Sequence, residues 1–379
     1  MRRGAVSAAP LTLHVIAGLG IGGAERMLAA LVTAERAPLH GQAVVDLLAN
    51  GALAPEIRAA GVPVHELGLA GPLGVPRVVS ALARLIGKTK PAVVQTWMYY
   101  ADLLGLWALE RSGRRSETRL YWGVRCSDMD QARYGPALRW TIRACARRAA
   151  RPDAVVANSH AGRVVHKQLG YAPRAFVVIP NGIDTARFRP DAEARRRVRA
   201  ELAIAENAFV AIHVARVDPM KDHATLAAVA ALRPDLVFLA AGKGTADRLA
   251  GPGSLRGLGL RADMPALYAA ADAVLSTSAF GEGFSNVIAE GMAAGLPAVA
   301  TDVGDARLIV GDAGAAGAVA PPRDPRALAA VLDRLAGAGP GERAALAAAA
   351  RERIEQRFSL ARCVAAFDAL HREGKIPAE

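Results

Sequence analysis

The feature that most constrains the fold is an alternation of two kinds of segment along nearly the whole chain. Short apolar runs rich in β-branched residues, such as LTLHVIAG at 11–18 and PAVVQTW at 91–97, precede longer Ala- and Leu-rich amphipathic stretches. Parallel strands that are buried on both faces give apolar runs of this kind, and the helices that connect them give the amphipathic stretches. The order predicts an α/β fold built from doubly wound parallel sheets.

The same alternation starts again in the second half, with FVAIHVAR at 209–216 and LVFLAAG at 236–242. A chain of 379 residues also exceeds the roughly 100–200 residues that one domain usually holds. The sequence therefore predicts two sheet domains of similar build with a boundary near residues 180–182, followed by a tail of helical composition from about residue 352.

The positive charge is unevenly distributed. The chain has 47 Lys and Arg against 35 Asp and Glu, a net charge of +12, and all of this excess lies in residues 1–180. On a helix, Arg139, Arg143, Arg147 and Arg151 would form one stripe because they recur every four residues. Two interpretations stay open: a solvated helix face, or a surface for anionic lipid headgroups or an acidic acceptor. Aromatic residues are only 5% of the chain and no recognition motif appears, so we expect no nucleic-acid partner.

The cysteines and the N-terminal segment both bear on the compartment. Cys126, Cys145 and Cys363 have neither metal-ligand spacing nor a disulfide framework, which favours a reducing cytoplasm. Residues 4–24 carry no charged side chain and imitate a signal peptide, but their five glycines and His14 favour a buried strand followed by a glycine loop. We therefore expect a cytoplasmic protein, with a peripheral position on the inner face of the plasma membrane as a further expectation.

A glycine-rich loop, GLGIGG at 18–23, follows the first apolar run and precedes a helical segment. Glycines let backbone amides approach a phosphate at a helix N-terminus. The run also matches GxGxxG, and Asp46 lies 23 residues beyond Gly23, close to where a dinucleotide fold places its ribose-binding acid. A phosphate-binding loop, an NAD-dependent dehydrogenase and a simple tight turn are all compatible with this segment.

Two cations follow a strand of the second half. Arg216 ends the run FVAIHVAR and Lys221 comes five residues later. Doubly wound folds bind ligands at the carboxyl ends of their strands, where these cations would neutralise a diphosphate without a metal. The alternative is a surface ion pair of Lys221 with Asp218 or Asp222.

The segment FGEGFSNVIAE at 280–290 contains two carboxylates, Glu282 and Glu290, separated by seven residues. Ser285 or Asn286 is a suitable N-cap, so Glu290 falls about one turn into the following helix. The pattern gives one site backbone amides for phosphate, one carboxylate for sugar hydroxyls and a second for ribose hydroxyls. An ordinary amphipathic helix with acids near its start is the alternative.

FGEGFSNVIAE resembles the E-x7-E signature of the retaining glycosyltransferase family four, which has the GT-B fold. GLGIGGAERML, VVANSHAGR, VIPNGIDTARF, HVARVDPMKD and AAGKG resemble further segments of that family in the same order, so the resemblance covers nearly the whole chain. It implies two Rossmann-like domains facing across a cleft: an acceptor domain over 1–180, a nucleotide-sugar domain over 181–353, and a C-terminal helix over 354–379 that crosses back to the first domain. It also implies sugar transfer from a nucleotide donor with retained anomeric configuration and without an essential metal or cofactor.

Position by position, the resemblance implies that Arg216 and Lys221 hold the donor diphosphate and that Glu282 contacts the sugar, so these three are the expected catalytic residues. The other expected donor-binding residues are Gly22, Gly23, Gly283, Phe284, Ser285 and Glu290. The donor would be a UDP- or GDP-linked sugar.

One segment departs from the family pattern. After the third strand the family often shows H-x-H near the reacting sugar, whereas this chain has QTWMYYAD at 95–102. A general-base histidine is therefore not expected, and the leaving phosphate could accept the proton of the acceptor. The candidate acceptor-binding residues are Tyr100, Asp102, Arg125 and Asp128.

The function that these patterns favour is a glycosyltransferase acting on a lipid-linked or polysaccharide acceptor in envelope, lipopolysaccharide or exopolysaccharide synthesis. The expected partners are the nucleotide-sugar, this acceptor and an anionic membrane surface. Two alternatives stay open: an NAD-dependent Rossmann dehydrogenase, and a catalytically silent GT-B binding protein.

Overall fold

The computed structural model describes residues 11–34, 41–49, 51–127, 134–249, 253–311 and 316–374. The chain divides into two compact units, Met1–Gly182 with Leu360–Glu379, and Ile183–Ser359. The sequence analysis predicts boundaries after residues 180 and 353, and the structure has them after Gly182 and Ser359.

The first unit contains a seven-stranded sheet in which all neighbouring strands are parallel. Its strands are β1 (Thr12–Ile16), β2 (Gln42–Asp46), β3 (Val64–Glu66), β4 (Val93–Trp97), β5 (Arg119–Val124), β6 (Ala154–Ala157) and β7 (Phe176–Val178). Its helices up to this point are α1 (Gly23–Thr33), α2 (Ala54–Ala59), α3 (Val75–Thr89), α4 (Tyr99–Arg111), α5 (Pro136–Ala146) and α6 (His160–Gln168). The strand order is β3-β2-β1-β4-β5-β6-β7.

The second unit contains a six-stranded sheet, also parallel throughout. Its strands are β8 (Val210–Val214), β9 (Val237–Ala241), β10 (Leu255–Gly259), β11 (Ala273–Ser276), β12 (Ala298–Thr301) and β13 (Gly317–Ala320). Its helices are α7 (Ala192–Glu201), α8 (His223–Leu232), α9 (Thr245–Arg248), α10 (Met264–Ala270), α11 (Asn286–Ala293), α12 (Ala306–Val310), α13 (Pro325–Gly337) and α14 (Pro340–Arg357). The strand order is β10-β9-β8-β11-β12-β13.

The last helix, α15 (Leu360–Glu373), belongs to the first unit. Val364, Phe367 and Leu370 on this helix are buried in an apolar cluster that also contains residues of α1 and β4. The hydroxyl of Tyr121 on β5 donates to the carbonyl of Leu370 at 3.1 Å. This last helix therefore packs against the first sheet and contributes to its apolar core.

Both sheets have apolar clusters on both faces, which explains why their strands are continuous apolar runs in the sequence. Each unit is a Rossmann-like, doubly wound parallel sheet, and this confirms the predicted fold class. In each sheet the strand order reverses at the centre, between β1 and β4 and between β8 and β11. Folds of this kind bind ligands beyond the carboxyl ends of the strands at such a reversal. None of the helices in the described ranges is both long and apolar enough to cross a membrane.

Candidate functional site

The candidate site lies in the second unit, where the strand order reverses between β8 and β11. The loop after β8 carries Lys221, and the loop after β11 carries Glu282. Two hydrogen bonds join these loops: the Thr277 hydroxyl donates to the carbonyl of Lys221 at 2.9 Å, and the amide of Ala279 donates to the carbonyl of Met220 at 2.9 Å. The two loops are therefore held in a fixed relation at the carboxyl edge of the sheet.

Lys221 and Glu282 form an ion pair at this edge. The Nζ of Lys221 contacts Oε1 of Glu282, and the Ser278 hydroxyl donates to the same oxygen at 2.7 Å. The side chains of Lys221 and Glu282 are only 18% and 11% exposed, so the pair is partly shielded from solvent. Two donors at Oε1 orient the carboxylate, and the hydrogen bonds of this side chain within the described part of the chain leave Oε2 available to accept hydroxyl groups.

The backbone between Glu282 and α11 approaches the loop after β12 closely. Gly304 has φ +64°, and a Cβ atom at this position would lie 2.2 Å from the carbonyl oxygen of Glu282. The amide of Asp305 donates to the carbonyl of Gly283 at 3.0 Å. Phe284 is buried and packs edge-on against Phe358 with 5.3 Å between ring centroids. The segment that leads into the N-terminus of α11 is thus held by the loop after β12 and by Phe358.

Ser285 is the N-cap residue of α11, with extended backbone angles, and its side chain makes no capping hydrogen bond. The first amides of a helix have no partner within the helix and favour an anion. The expected N-cap position is therefore confirmed, and the binding of a phosphate here remains a prediction.

Glu290 lies in the second turn of α11 and is oriented by a tyrosine. The hydroxyl of Tyr268, on α10, donates to Oε2 of Glu290 at 3.1 Å. Tyr268 is completely buried, and this burial, with the nearby charge of Glu290, raises the pKa of Tyr268 well above its usual value. The phenol therefore stays protonated and acts as a permanent donor. Sequence reasoning missed Tyr268 because it lies in the apolar run MPALYAAAD, where a tyrosine looks like an ordinary core residue.

Arg216 is separate from the Lys221–Glu282 pair. Its guanidinium donates to Oδ2 of Asp218 at 3.0 and 3.2 Å, and its side chain is 64% exposed. The alternative in which Lys221 pairs with Asp218 or Asp222 is wrong: Lys221 reaches Glu282, while Asp222 caps α8 by accepting from the amide of Thr225 at 3.2 Å.

His213 lies near the end of β8 and contacts Thr277 in the loop after β11. It is buried, lies 4.9 Å from the ring of His223, and is within 3.2 Å of the Thr277 hydroxyl. Burial, assisted by His223 and Lys221, lowers the pKa of His213 to about 3. This histidine is therefore neutral at physiological pH and helps to position Thr277. The sequence offered no signal for it beyond its place on the strand.

The glycine loop of the first unit has the predicted local structure. Gly22 is the N-cap of α1 with extended angles, and Gly23 begins the helix. A Cβ atom at Gly22 would meet only the flexible carboxylate of Glu25, and one at Gly20 would meet nothing within 4 Å. Packing inside the first unit therefore does not explain the glycine at position 20, and the donor contacts of Gly22 and Gly23 remain predictions.

Asp46, the acid on which the dehydrogenase alternative depends, is completely buried. Its Oδ1 accepts from the amides of Leu48 and Ala49, both at 3.0 Å, and so closes the turn after β2. A carboxylate held in this way is not presented to a ribose. This geometry removes the main support for the dehydrogenase alternative.

Asp102 is also completely buried, which corrects the expectation that it contacts an acceptor. It accepts at Oδ1 from the Thr96 hydroxyl and from the amide of Gly123 at 3.3 Å, and burial raises its pKa to about 7. The reason is its position on the face of α4 that packs on the sheet, opposite the half-exposed Tyr100.

Arg125 is placed against aromatic rings: its guanidinium stacks over Trp97 at 4.1 Å and donates to Asn181 at 2.7 Å. Burial lowers the pKa of Arg125 to about 10. This residue therefore fixes the end of the first unit, and an acceptor contact remains only a prediction. Asp128 lies outside the described residues. Within the described ranges, no group of three or more His, Cys, Asp or Glu side chains is arranged to hold a metal ion.

Comparison with known proteins gives matches in both units. The sequence model described as "Glycosyltransferase Family 4" matches residues 21–187, and the one described as "Glycosyl transferases group 1" matches residues 208–338. Two curated relatives are named D-inositol 3-phosphate glycosyltransferase. The protein from Kineococcus radiotolerans is 32% identical over 234 residues, which cover 54% of this chain and 53% of the relative. The protein from Salinispora arenicola is 34% identical over 237 residues, which cover 53% and 51%. The chain thus spans about half the length of the curated relatives it matches.

Solved structures match over nearly the whole length. Anabaena Alr3699/HepE in complex with UDP and glucose is 25% identical with a TM-score of 0.80, and the match covers 95% of this chain and 98% of that one. Sucrose-phosphate synthase from Thermosynechococcus elongatus is 19% identical with a TM-score of 0.75, over 96% and 98%. The match to sucrose-phosphate synthase, at 19% identity, shows a shared fold and nothing more. Together with the two sequence models, these matches show that the chain belongs to the family 4 type of glycosyltransferases with the GT-B fold.

Proposed function

We propose that this protein transfers a sugar from a UDP-linked donor to an acceptor with retained anomeric configuration, and that its own cations and main-chain amides take the role of a metal. The observation that carries the proposal is the Lys221–Glu282 ion pair at the carboxyl edge of the second sheet, beside the N-terminus of α11. The complex of Alr3699/HepE with UDP and glucose supports the choice of donor.

The chemistry requires stabilisation of negative charge as the bond between the sugar and the diphosphate breaks. Lys221 and the first amides of α11 are fixed in position before the reaction, so they need no reorganisation when this charge develops. Arg216 adds a second cation. Its exposed ion pair with Asp218 contributes only about 0–1 kcal/mol. A diphosphate can therefore replace Asp218 as the partner of Arg216 at little cost.

Two carboxylates complete the donor site in this proposal. Glu282 is held by Lys221 and Ser278 through Oε1, which leaves Oε2 to accept hydroxyl groups of the sugar. Glu290 is held by Tyr268 and accepts the hydroxyl groups of the ribose. The leaving phosphate accepts the proton of the attacking hydroxyl, since sequence QTWMYYAD carries no histidine where the family often has one.

The acceptor that we propose is a lipid-linked or polysaccharide glycan of the cell envelope, used at the cytoplasmic face of the plasma membrane. The support is the charge distribution: residues 1–180 carry the whole net charge of +12, which favours an anionic acceptor or surface.

A panel of UDP-, GDP- and ADP-sugars tests the proposal, with donor turnover detected by mass spectrometry in the presence and absence of a lipid-phosphate extract and of EDTA. We expect turnover of a UDP-sugar that EDTA does not reduce, and an NMR spectrum of the product with the anomeric configuration of the donor. Turnover that EDTA abolishes contradicts the metal-free mechanism. UDP binding without turnover of any donor, with or without the lipid-phosphate extract, supports the silent binding protein, and thermal stabilisation by NAD but not by UDP supports the dehydrogenase.

A further inference from the structure

Exposed apolar side chains are concentrated at one edge of the first unit. Five of them follow β1, β2, β3, β4 and β5 in turn, so all lie on segments that leave the carboxyl edge of the sheet. They are Ile21, Leu48, Leu73, Tyr100 and Trp140. Leu73 is 96% exposed and Trp140 is 58% exposed. Large apolar side chains gathered in this way mark an interaction site.

An apolar groove of about 490 Å³ lies entirely within the first unit, and three of these five side chains, Leu48, Tyr100 and Trp140, line it. Its walls come from the segments after β1, β2 and β3 and from α3, α4 and α5, and none of the described residues that line it is charged. The main lining residues are Leu48, Leu69, Val75, Leu103, Trp107 and Trp140. The rings of Trp107 and Trp140 lie 6.5 Å apart between centroids.

Cations lie beside this groove. Arg143 and Arg147 follow Trp140 by three and seven residues, so they lie one and two turns away on the same side of the helix. Both are exposed, and neither forms an ion pair with a residue of the described ranges. Sequence analysis left the arginine stripe open between a solvated face and an anionic partner. The structure places Arg143 and Arg147 of this stripe within two helical turns of an apolar groove, whereas Arg151 pairs with Glu110. Cations beside an apolar groove are the arrangement that an anionic amphiphile requires.

We propose that this groove, the α5 groove, holds one hydrocarbon chain of an anionic membrane lipid, with the phosphate of its headgroup at Arg143 and Arg147. Trp140 lies at the boundary between chain and headgroup, where an amphipathic ring is favoured. The inference deepens the proposed function, on which it rests, because it gives the proposed attachment of the enzyme to an anionic membrane surface a defined binding site.

Tryptophan fluorescence tests the proposal directly. The chain has four tryptophans: Trp97 and Trp122 are completely buried, while Trp107 and Trp140 line the groove. The probe is a vesicle of phosphatidylcholine and phosphatidylglycerol, with bromine on the phosphatidylglycerol chains. We expect these chains to quench the wild-type fluorescence and to quench a Trp107→Phe/Trp140→Phe double variant at least fivefold less. Equal quenching of both proteins overturns the proposal.

Charge variants test the headgroup contact. We expect Arg143→Gln/Arg147→Gln to weaken binding to these vesicles at least tenfold. The matched control, Arg84→Gln/Lys88→Gln, removes the same charge from exposed positions of α3 and should bind like the wild type. Equal losses in both pairs indicate non-specific attraction and overturn the proposal, as does a wild type that binds no vesicle.

Calorimetry with UDP keeps the two claims apart. Every groove variant should bind UDP like the wild type, because the groove and Lys221 lie in different units. If UDP binds and the vesicles do not, the lipid groove is wrong while the donor site stands. If the wild type does not bind UDP, the proposed function fails whatever the vesicles show.

Discussion

Replacing Lys221 by Met tests the central electrostatic argument, because it removes the cation and keeps most of the side-chain length. The first effect is on stability. Glu282 is only 11% exposed and would keep the Ser278 hydroxyl as its remaining partner. A lost hydrogen bond to a charged group costs roughly 1.5–3 kcal/mol. We therefore expect the free energy of unfolding to fall by about 2 kcal/mol.

The second effect is on the reaction. A preorganised donor that stabilises charge in a transition state contributes about 3 kcal/mol. Since about 1.4 kcal/mol corresponds to a tenfold change in rate, kcat/KM for sugar transfer should fall at least a hundredfold. Steady-state kinetics with the UDP-sugar found in the donor panel measures this loss, and chemical denaturation measures the stability.

A double variant separates the two effects. Lys221→Met/Glu282→Gln leaves a neutral pair at the same place, so the penalty of an unpaired carboxylate disappears and most of the stability should return. The activity should stay low, because both the cation of Lys221 and the carboxylate that we assign to the sugar are missing. Single and double variants with near-normal kcat/KM would refute the argument. Recovered activity in the double variant would show that neither the cation of Lys221 nor the carboxylate of Glu282 is needed for the reaction.

Three further outcomes are expected. Arg216→Ala should lower kcat/KM at least a hundredfold without loss of stability, because its ion pair is exposed. Arg233→Ala, which breaks ion pairs with Asp235 and Asp333 in the same unit, should keep near-normal kinetics. Tyr268→Phe should weaken the binding of UDP about tenfold in calorimetry, and an analogue lacking both ribose hydroxyls should show no such difference. Stability should fall as the pH drops from 6.5 towards 4, because burial lowers the pKa of three histidines in the folded state and the unfolded chain then binds more protons. Each histidine contributes up to about 1.4 kcal/mol per pH unit, and Asp102, whose pKa burial raises to about 7, offsets one of the three. Denaturation midpoints at the two ends of this range measure the net loss. These histidines are His14, His166 and His213, whose folded-state pKa values are about 4, 4 and 3.

Much of the fold follows from local sequence. The run QAVVDLL at 42–48 contains β2, and AVLSTS at 273–278 contains β11, because a strand buried on both faces needs an unbroken apolar segment. Asp102 shows where local reasoning fails. An acid in a helix normally faces water, but this one bonds to Thr96 on the neighbouring strand and is buried. That contact depends on how α4 packs on the sheet.

Local sequence patterns predicted some residues of the site but not their contacts. Lys221 and Glu282 each follow a strand, which local patterns indicate, but they lie 61 residues apart. Their contact requires β8 and β11 to be neighbours, and strand order is a property of the whole sheet. Tyr268 and Ser278 became visible as partners of the two glutamates only when their hydroxyl groups could be placed.

A crystal structure of the protein with UDP tests the central claim most directly. The account predicts the β-phosphate within hydrogen-bond distance, about 3 Å, of the Nζ of Lys221 and of main-chain amides at the start of α11, with the ribose hydroxyls at Glu290. A nucleotide whose diphosphate lies away from the carboxyl ends of β8 and β11 would contradict it.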